Sequence, residues 1–416
     1  MRLFQITGQG FVGEMRPQTG AHNGSNDRRK LAMQVIVLMG LVSLFGDITY
    51  EGARSITGPY LALLGASAAV VGFVAGAGEF IGYALRLVSG YVADRTEQYW
   101  TMTILGYGLL VSIPLIAFAG HWELAAVLLI SERAGKAIRS PSRDAILSHA
   151  TKQVGRGWGF AIHEALDQVG AIIGPLLFTA VFIFNGGYQQ GFTLLWAPVI
   201  LTIIILFVAR MKVPSPERLE HADGLERAED KGKLPRIFWL YMAFIIVTVI
   251  GFANFQIISY HLKVGSVVPD MEIPIFYAVA MGVDGLVALI IGKTYDKIGI
   301  RALIAIPVLT IPIPLLAFTH SYGLALAGVV LWGAVMGIHE TIMRAAIADM
   351  TPIARRGIAY GIFNTAYGAS WFVGSAAMGL MYEFSMTYII ALVLIAEIAS
   401  LPLFFVMRRE AKTKSQ

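Results

Sequence analysis

Long apolar stretches alternate with short polar connections along most of the chain. Each stretch has about the 20 residues that an α-helix needs to cross the hydrocarbon core of a bilayer. The pattern therefore predicts an all-α integral membrane protein with twelve transmembrane helices. The predicted spans are 33–57, 69–92, 100–119, 123–147, 157–184, 191–210, 236–261, 273–293, 301–318, 322–349, 357–382 and 386–407.

Polar segments divide the chain into two halves with a tail at each end. We predict a disordered cytoplasmic tail at 1–30, an N-terminal six-helix bundle at 31–211, a cytoplasmic linker at 212–235, a C-terminal six-helix bundle at 236–407 and a cytoplasmic tail at 408–416. The first tail lacks the apolar core of about 7–15 residues that a signal peptide needs. The first helix is therefore expected to act as an uncleaved signal anchor.

The composition agrees with a membrane protein. The chain is 56% hydrophobic and only 14% charged, with a mean hydropathy of +0.67, whereas soluble proteins carry roughly 25% charged residues. Its 44 glycines suit close packing between membrane helices. The absence of cysteine excludes disulfides, thiolate chemistry and cysteine-ligated metal sites.

The basic residues in the loops predict the orientation. Lys or Arg occurs in both tails, in the central linker and after spans two, four, eight and ten, whereas Lys263 is the exception in the alternate loops. Cytoplasmic loops carry such an excess of basic residues. Both termini are therefore predicted to be cytoplasmic.

Two sequence pairs recur at nearly the same spacing. "SGYVADRT" at 89–96 is answered by "IGKTYDKI" at 291–298, and "GRGWGFAIHEA" at 155–165 by "RRGIAYGIFNT" at 355–365. The spacings are 202 and 200 residues. An even number of spans in each copy places both copies in the same orientation, so we predict two parallel six-helix repeats.

The repeated loop resembles a motif of the major facilitator superfamily. That family reads Gly-x-x-x-Asp-Arg-x-Gly between spans two and three, and the second copy, "GKTYDKIGIR", fits it better than the first. The resemblance covers nearly the whole chain and implies two bundles that rock about a central cavity. It assigns a conformational role to Gly90, Asp94, Arg95, Gly292, Asp296 and Lys297.

Three charged residues interrupt the first span. An intramembrane charge costs on the order of 2.5–3.5 kcal/mol, yet Asp47, Glu51 and Arg54 share one narrow helix face that can turn away from lipid. Arg54 can pair with Glu51, which leaves one carboxylate over. The stripe is interpreted either as a structural ion pair or as a group that handles protons or substrate.

Spans four and five add further candidates. Arg133 and Lys136 lie near mid-span, and His163 and Asp167 share a helix face beside Glu164. In span five, Gly170, Gly174 and Pro175 form Gly-x-x-x-Gly-Pro, which looks like the span-five motif of the family's antiporter branch. Plain helix packing is the alternative interpretation of these three residues.

The second half carries fewer charges. Its candidates for substrate binding are Asn254 and Gln256 in span seven and His339 in span ten, where Glu340 and Arg344 are spaced for an ion pair. His163, Glu164, Asp167 and His339 are possible metal ligands. The two histidines lie in different halves without tight ligand spacing, so we predict no metal site.

These residues together predict a proton-coupled secondary transporter of a small organic molecule, with export favoured. Proton coupling is assigned to Asp47, Glu51, Glu164 and Asp167, and substrate binding to Arg54, Arg133, Lys136, His163, Asn254, Gln256 and His339. The alternatives are uptake of an organic anion with protons and a membrane sensor that does not transport. No nucleotide-binding motif or complete catalytic signature is present in the sequence, so we expect neither a cofactor nor an enzyme. The expected partners are the bilayer of the cell membrane, protons and a small-molecule substrate, with no nucleic acid.

Overall fold

The computed structural model describes residues 19–215, 233–352 and 355–413, and this part of the chain is helical without strands. Short 3-10 turns extend several of the α-helices. The α-helices are α1 (Thr19–Leu63), α2 (Ala68–Thr96), α3 (Tyr99–Gly108), α4 (Ser112–Leu115), α5 (Trp122–Val154), α6 (Arg156–Ile183), α7 (Tyr188–Leu194), α8 (Trp196–Lys212), α9 (Arg236–Gly251), α10 (Phe255–Val264), α11 (Ile273–Ile298), α12 (Ala305–Thr310), α13 (Ile313–Ala317), α14 (Tyr322–Met350), α15 (Arg356–Phe384) and α16 (Met386–Thr413).

Apolar length identifies most of these helices as membrane spans. Within the described ranges, nine helical segments are long and apolar enough to cross a membrane. One of them, Asp270–Ala317, is 48 residues long and covers the predicted span 273–293 and all but the last residue of the span 301–318. The segments do not include α5 and α15, because α5 carries a run of charges and α15 many small and polar residues.

Two helices extend into the predicted tails. α1 begins at Thr19, inside the segment 1–30 that was predicted as a disordered tail, and α16 continues to Thr413, inside the predicted tail 408–416. A helix can continue into water beyond the bilayer because its backbone hydrogen bonds are internal. Residues 1–18, 216–232 and 414–416 lie outside the described residues, and most of the predicted linker lies there.

Contacts between helix ends define one end of the bundle, here called the terminal face. Lys212 Nζ donates to Gln34 Oε1 at 3.1 Å, and Arg236 lies 3.7 Å from Glu410. The starts of the first and seventh predicted spans therefore lie at the same face as the ends of the sixth and twelfth. The other end of the bundle is the opposite face.

The two halves pack their helices through equivalent glycines. A Cβ added to Gly174 of α6 would lie 2.5 Å from the carbonyl oxygen of Ile48 in α1. A Cβ added to Gly374 of α15 would lie 2.5 Å from the carbonyl oxygen of Ile250 in α9. Ile48 and Ile250 are 202 residues apart, and the two glycines are 200 apart. The spacing found in the sequence motifs thus recurs in the helix contacts, which supports a duplicated unit.

Close backbone packing joins the two halves toward the opposite face. Gly58 of α1 lies against the Gln256 carbonyl of α10, and Gly379 of α15 lies against the Ala68 carbonyl of α2. Glu383 adds a hydrogen bond, since its Oε1 accepts from the Ala69 N–H at 3.0 Å. A side chain at either glycine would force the helices apart, so this end of the interface between the halves is closed.

Candidate functional site: a charged central cavity

A cavity of about 430 Å³ lies between the two halves. It is lined from the N-terminal half by α1, α2, α3, α5 and α6 and from the C-terminal half by α11 and α14. The charged residues around it are Asp47, Arg86, Lys136, Arg139, Arg143, Asp144, Glu164, Asp167, Asp284, Glu340 and Arg344. Such a lining suits a polar or charged ligand better than an apolar one.

The cavity continues toward the terminal face. A second cavity of about 460 Å³ shares Arg86, Asp144 and Arg344 with the first and is lined farther along α2 by Gly90 and Asp94. α2 runs toward the terminal face, because its other end, at Ala68, packs at the closed opposite face. The two cavities therefore form one path from the centre of the bundle to the terminal face.

Several carboxylates in the cavity form no ion pair with another described residue. Among the described residues, Asp47, Glu164, Asp167 and Asp284 form no ion pair. Asp284 is only 2% exposed, and its Oδ1 accepts no hydrogen bond. An isolated buried carboxylate is costly, so this group of acids is available to a ligand or a proton. Asp47 and Asp167 approach one another, since Gly170, one turn beyond Asp167, packs against Asp47.

Some cations in the same cavity likewise form no ion pair with a described residue. Arg86 and Arg344 form none of the ion pairs found in the described ranges, and the Arg86 guanidinium lies 4.6 Å from the Tyr83 ring centroid. Lys136 Nζ lies 4.1 Å from the Tyr50 ring centroid. The predicted Glu340–Arg344 pair is not formed, because both side chains are exposed to the cavity instead.

The buried charges beside the cavity form a closed network instead. Glu79 Oε1 lies 3.4 Å from Arg54 and 3.3 Å from Arg133. Glu132 continues the chain of charges with Arg133 at 3.8 Å and Arg139 at 3.0 Å. These side chains are at most 10% exposed. Each charge has an opposite partner, which a low-dielectric interior requires.

The predicted pair of Glu51 and Arg54 belongs to this network. The two side chains lie 3.8 Å apart, and Glu51 Oε2 also accepts a hydrogen bond of 2.5 Å from the Tyr277 hydroxyl. Asp47 is the carboxylate left over, as predicted. Arg54 and Arg133 face a space of only about 30 Å³, enough for about one water molecule. An organic substrate does not fit there.

Three further candidates lie outside the charged cavity. Asn254 caps α10, because its side chain accepts from the Gln256 N–H at 2.9 Å. Gln256 lines the small space beside Arg54. His339 is buried against Phe252 at 4.9 Å between ring centroids, and its Nδ1 lies 3.2 Å from the Tyr367 hydroxyl. In this conformation the Asn254 side chain caps a helix and His339 packs against Phe252, and none of the three residues lines the charged cavity.

The fold brings His163 together with Glu164 and Asp167. One ligand atom from each lies within 4.8 Å of the others, and the sequence had placed His163 and Asp167 on one helix face beside Glu164. His163 Nε2, however, is 2.8 Å from the Ser43 hydroxyl, which also accepts from Arg143 at 3.2 Å. A cationic guanidinium this close disfavours a divalent cation at the imidazole.

The motif residues lie where helices approach or end. Gly170 packs against Leu44 and Gly174 against Ile48, while Pro175 follows inside α6. In the first loop motif, Gly90 and Asp94 line the path to the terminal face, and Arg95 donates to the Tyr91 hydroxyl at 2.8 Å. In the second, Gly292 lies against Thr341, whereas Asp296 and Lys297 are exposed.

The sequence did not assign several residues that the structure places at the site to substrate binding or proton coupling. Arg86, Asp284, Glu340 and Arg344 complete the cavity, and Tyr277 binds Glu51 from the other half. A charge inside an apolar stretch was the available signal for the first four. Tyr277 carried no such signal, because tyrosine is common in membrane helices.

Long apolar helices, arranged as two similar halves around a charged cavity, define a multi-pass membrane protein with the architecture of a transporter. The Major Facilitator Superfamily model matches residues 43–339 and 275–416. The chain belongs to this family.

Relatives and solved structures agree with this assignment. An uncharacterized protein of Mycobacterium tuberculosis is 41% identical over 382 residues, which are 91% of this chain and 93% of the relative. An uncharacterized MFS-type transporter of Methanocaldococcus jannaschii is 28% identical over 413 residues, 95% of this chain and 100% of the relative.

Two crystal structures have the same fold. The nucleoside transporter NupG has a TM-score of 0.66 at 13% identity and covers 90% of this chain and 98% of its own. A bacterial homolog of the human lysosomal transporter Spinster, inward-facing and occupied, has a TM-score of 0.68 at 14% identity, covering 90% and 96%.

Proposed function

We propose that this protein is a proton-coupled secondary transporter that moves a small organic molecule across the cell membrane by alternating access. Its two six-helix halves supply twelve spans, and the terminal face is cytoplasmic, as the basic loops predict. The closed opposite face and the path from the cavity to the terminal face then correspond to an inward-facing state.

The observation that carries the proposal is the contrast between paired and unpaired carboxylates. Glu51, Glu79 and Glu132 have basic partners in the buried network, so their charges are already compensated. Asp47, Glu164 and Asp167 line the cavity without such partners. Ionised carboxylates that face one another repel, and binding a proton relieves the repulsion. We therefore assign proton coupling to Asp47, Glu164 and Asp167 and a structural role to Glu51.

Export in exchange for protons is the direction we propose, on the resemblance of Gly170, Gly174 and Pro175 to the antiporter motif. Uptake of an organic anion with protons is the second candidate, and the unpaired Arg86 and Arg344 favour it. The two are distinguished by whether substrate and protons move in opposite directions or together.

The test is proton flux in proteoliposomes that contain a pH-sensitive dye, challenged with organic cations, anions, zwitterions and neutral compounds. The wild type is compared with Asp47→Asn and Asp167→Asn and with a control, Glu123→Gln, on the exposed first turn of α5. We expect one compound class to evoke proton movement in the wild type and control and not in the two cavity variants. Proton movement that persists in both cavity variants would contradict the assignment.

A further inference from the structure

Most of the unpaired charges of the cavity are separated by sign, and Lys136 and Glu340 are the exceptions. Arg86 of α2 and Arg344 of α14 line both the central cavity and the path to the terminal face. Tyr83, which stacks with Arg86, lies 4.9 Å from Tyr367 of α15 between ring centroids. The basic pair therefore lies beside the contact between α2 and α15.

The unpaired acids gather at the other flank. Asp167 precedes Gln168 of α6, and Gln168 packs against Gly285 of α11, the residue after Asp284. Asp47 of α1 adjoins Gly170, which lies one turn beyond Asp167 on α6. The acidic group thus lies beside the contact between α6 and α11, across the cavity from the basic pair.

Other charges in the cavity reduce this separation without cancelling it. Arg143 and Asp144 pair with each other at 3.0 Å, and Arg139 pairs with Glu132 outside the cavity. Glu340 lies one turn from Arg344, and Lys136 stacks on Tyr50 beside Asp47. Asp284 nevertheless stays buried with an unpartnered Oδ1, and Arg86 has a buried Nε without a hydrogen-bond partner.

We infer that the transported molecule is a small zwitterion. This inference rests on the proposed function and narrows its substrate class. The Arg86–Arg344 pair binds the oxyanion of the substrate, a carboxylate or a phosphate, because guanidinium groups match both geometrically. The acids at the α6–α11 contact bind its ammonium group. A ligand with only one charge leaves the opposite flank uncompensated in a cavity of low dielectric constant, which disfavours its binding.

The experiment compares ligands that share one carbon skeleton. Purified protein in detergent is titrated with propylamine, propionate and β-alanine, and with hexylamine, hexanoate and 6-aminohexanoate, while thermal unfolding is followed. For at least one of the two chain lengths, we expect the amino acid to raise Tm more than the amine and the carboxylate of the same length. Equal responses within both sets, a stronger response to a singly charged member, or no response to any member would overturn the inference.

Two variants test the assignment of the flanks. Arg86→Gln is expected to weaken binding of the zwitterion about tenfold or more while the response to the amine is kept, since a charge-assisted hydrogen bond is lost. Asp167→Asn is also expected to weaken binding of the zwitterion, but it should reduce the response to the amine and keep the response to the carboxylate. Arg210→Gln, on the exposed end of α8, serves as the control. Equal effects of both cavity variants on all three ligand types would overturn the separation by sign.

Failure of this inference can be distinguished from failure of the proposed function. Binding is measured here without a proton gradient, and coupling is measured separately as flux. A zwitterion that binds and moves no protons would overturn the coupling and leave the substrate class standing. Proton movement evoked by a singly charged compound alone would keep the transporter and overturn the zwitterion.

Discussion

The Tyr277 hydroxyl donates a hydrogen bond to Glu51 Oε2 at 2.5 Å and thereby joins α11 of the C-terminal half to α1 of the N-terminal half. Both residues are buried. Glu51 also lies beside Arg54, so the bond connects the interface between the halves to the charged network of the N-terminal half. Under the alternating access proposed above, this interaction would break when the opposite face opens.

Tyr277→Phe should therefore weaken the closed opposite face. Loss of a buried hydrogen bond to a charged group costs about 1.5–3 kcal/mol, so we expect a lower Tm in thermal unfolding. Tyr388→Phe is the control, because the Tyr388 side chain is 57% exposed. An unchanged Tm for Tyr277→Phe would mean that the bond contributes nothing to stability.

Gly174→Ala should destabilise the protein although alanine favours helices. The added Cβ would lie 2.5 Å from the Ile48 carbonyl oxygen and 2.7 Å from the Gly52 nitrogen, and these backbone atoms cannot move independently of α1. Gly282→Ala is the matched control, since nothing lies within 4 Å of the added Cβ. In Gly282→Ala the stabilisation that comes from the higher helix propensity of alanine, about 1 kcal/mol, should remain.

Thermal unfolding of both glycine variants checks this prediction. We expect Tm to fall for Gly174→Ala and to stay equal or rise for Gly282→Ala. If both variants respond alike, α1 and α6 do not depend on close approach at Gly174.

The buried network should show strong coupling between Glu132 and Arg139. Removing one member of a buried ion pair costs about 3–5 kcal/mol, because the other charge is left uncompensated. We therefore expect Arg139→Gln to lower Tm strongly and the double variant Glu132→Gln with Arg139→Gln to recover part of the loss. Strictly additive losses in the double-mutant cycle would contradict the pairing seen at 3.0 Å.

Glu397 of α16 should tolerate loss of its acid group. Its side chain is fully buried, neither carboxyl oxygen has a hydrogen-bond partner, and Oε1 lies 2.7 Å from a Cβ added at Gly251. Because an unpartnered buried polar group is destabilising, Glu397→Leu is expected to keep or raise Tm. Glu79→Leu is the comparison, and it should lower Tm because Arg54 and Arg133 lose their shared partner. A large loss of Tm in Glu397→Leu would indicate an interaction partner for Glu397.

Sequence reasoning reached the fold because the signals for it are local. Apolar length located the helices, and the recurrence near 200 residues agrees with the matching contacts of Gly174 and Gly374. The pairing of Glu51 with Arg54 was predictable because both residues lie on one helix, three positions apart. Within α1, the remaining acid, Asp47, could be identified by elimination.

Contacts between distant helices were not predictable in this way. Glu79 joins Arg54 of α1 to Arg133 of α5, and this choice depends on how the helices are rotated against one another. The same rotation directs Arg133 into the closed network and Lys136, three positions later, toward the cavity. A single sequence gives the spacing along each helix and no information on its rotation relative to its neighbours.

Alternating access is the central claim, and the natural absence of cysteine makes it directly testable. A cysteine at Ala288, which lines the cavity, would be the only thiol for a membrane-impermeant maleimide. Arg210→Cys near the terminal face and Gly120→Cys, in the connection between α4 and α5, serve as controls for the two sides.

We predict that Ala288→Cys is labelled rapidly from the cytoplasmic side, together with Arg210→Cys. When an imposed proton gradient drives the carrier through its cycle, Ala288→Cys should also become labelled from the outside, the side that labels Gly120→Cys. Labelling of Ala288→Cys from one side only, with and without the gradient, would contradict alternating access.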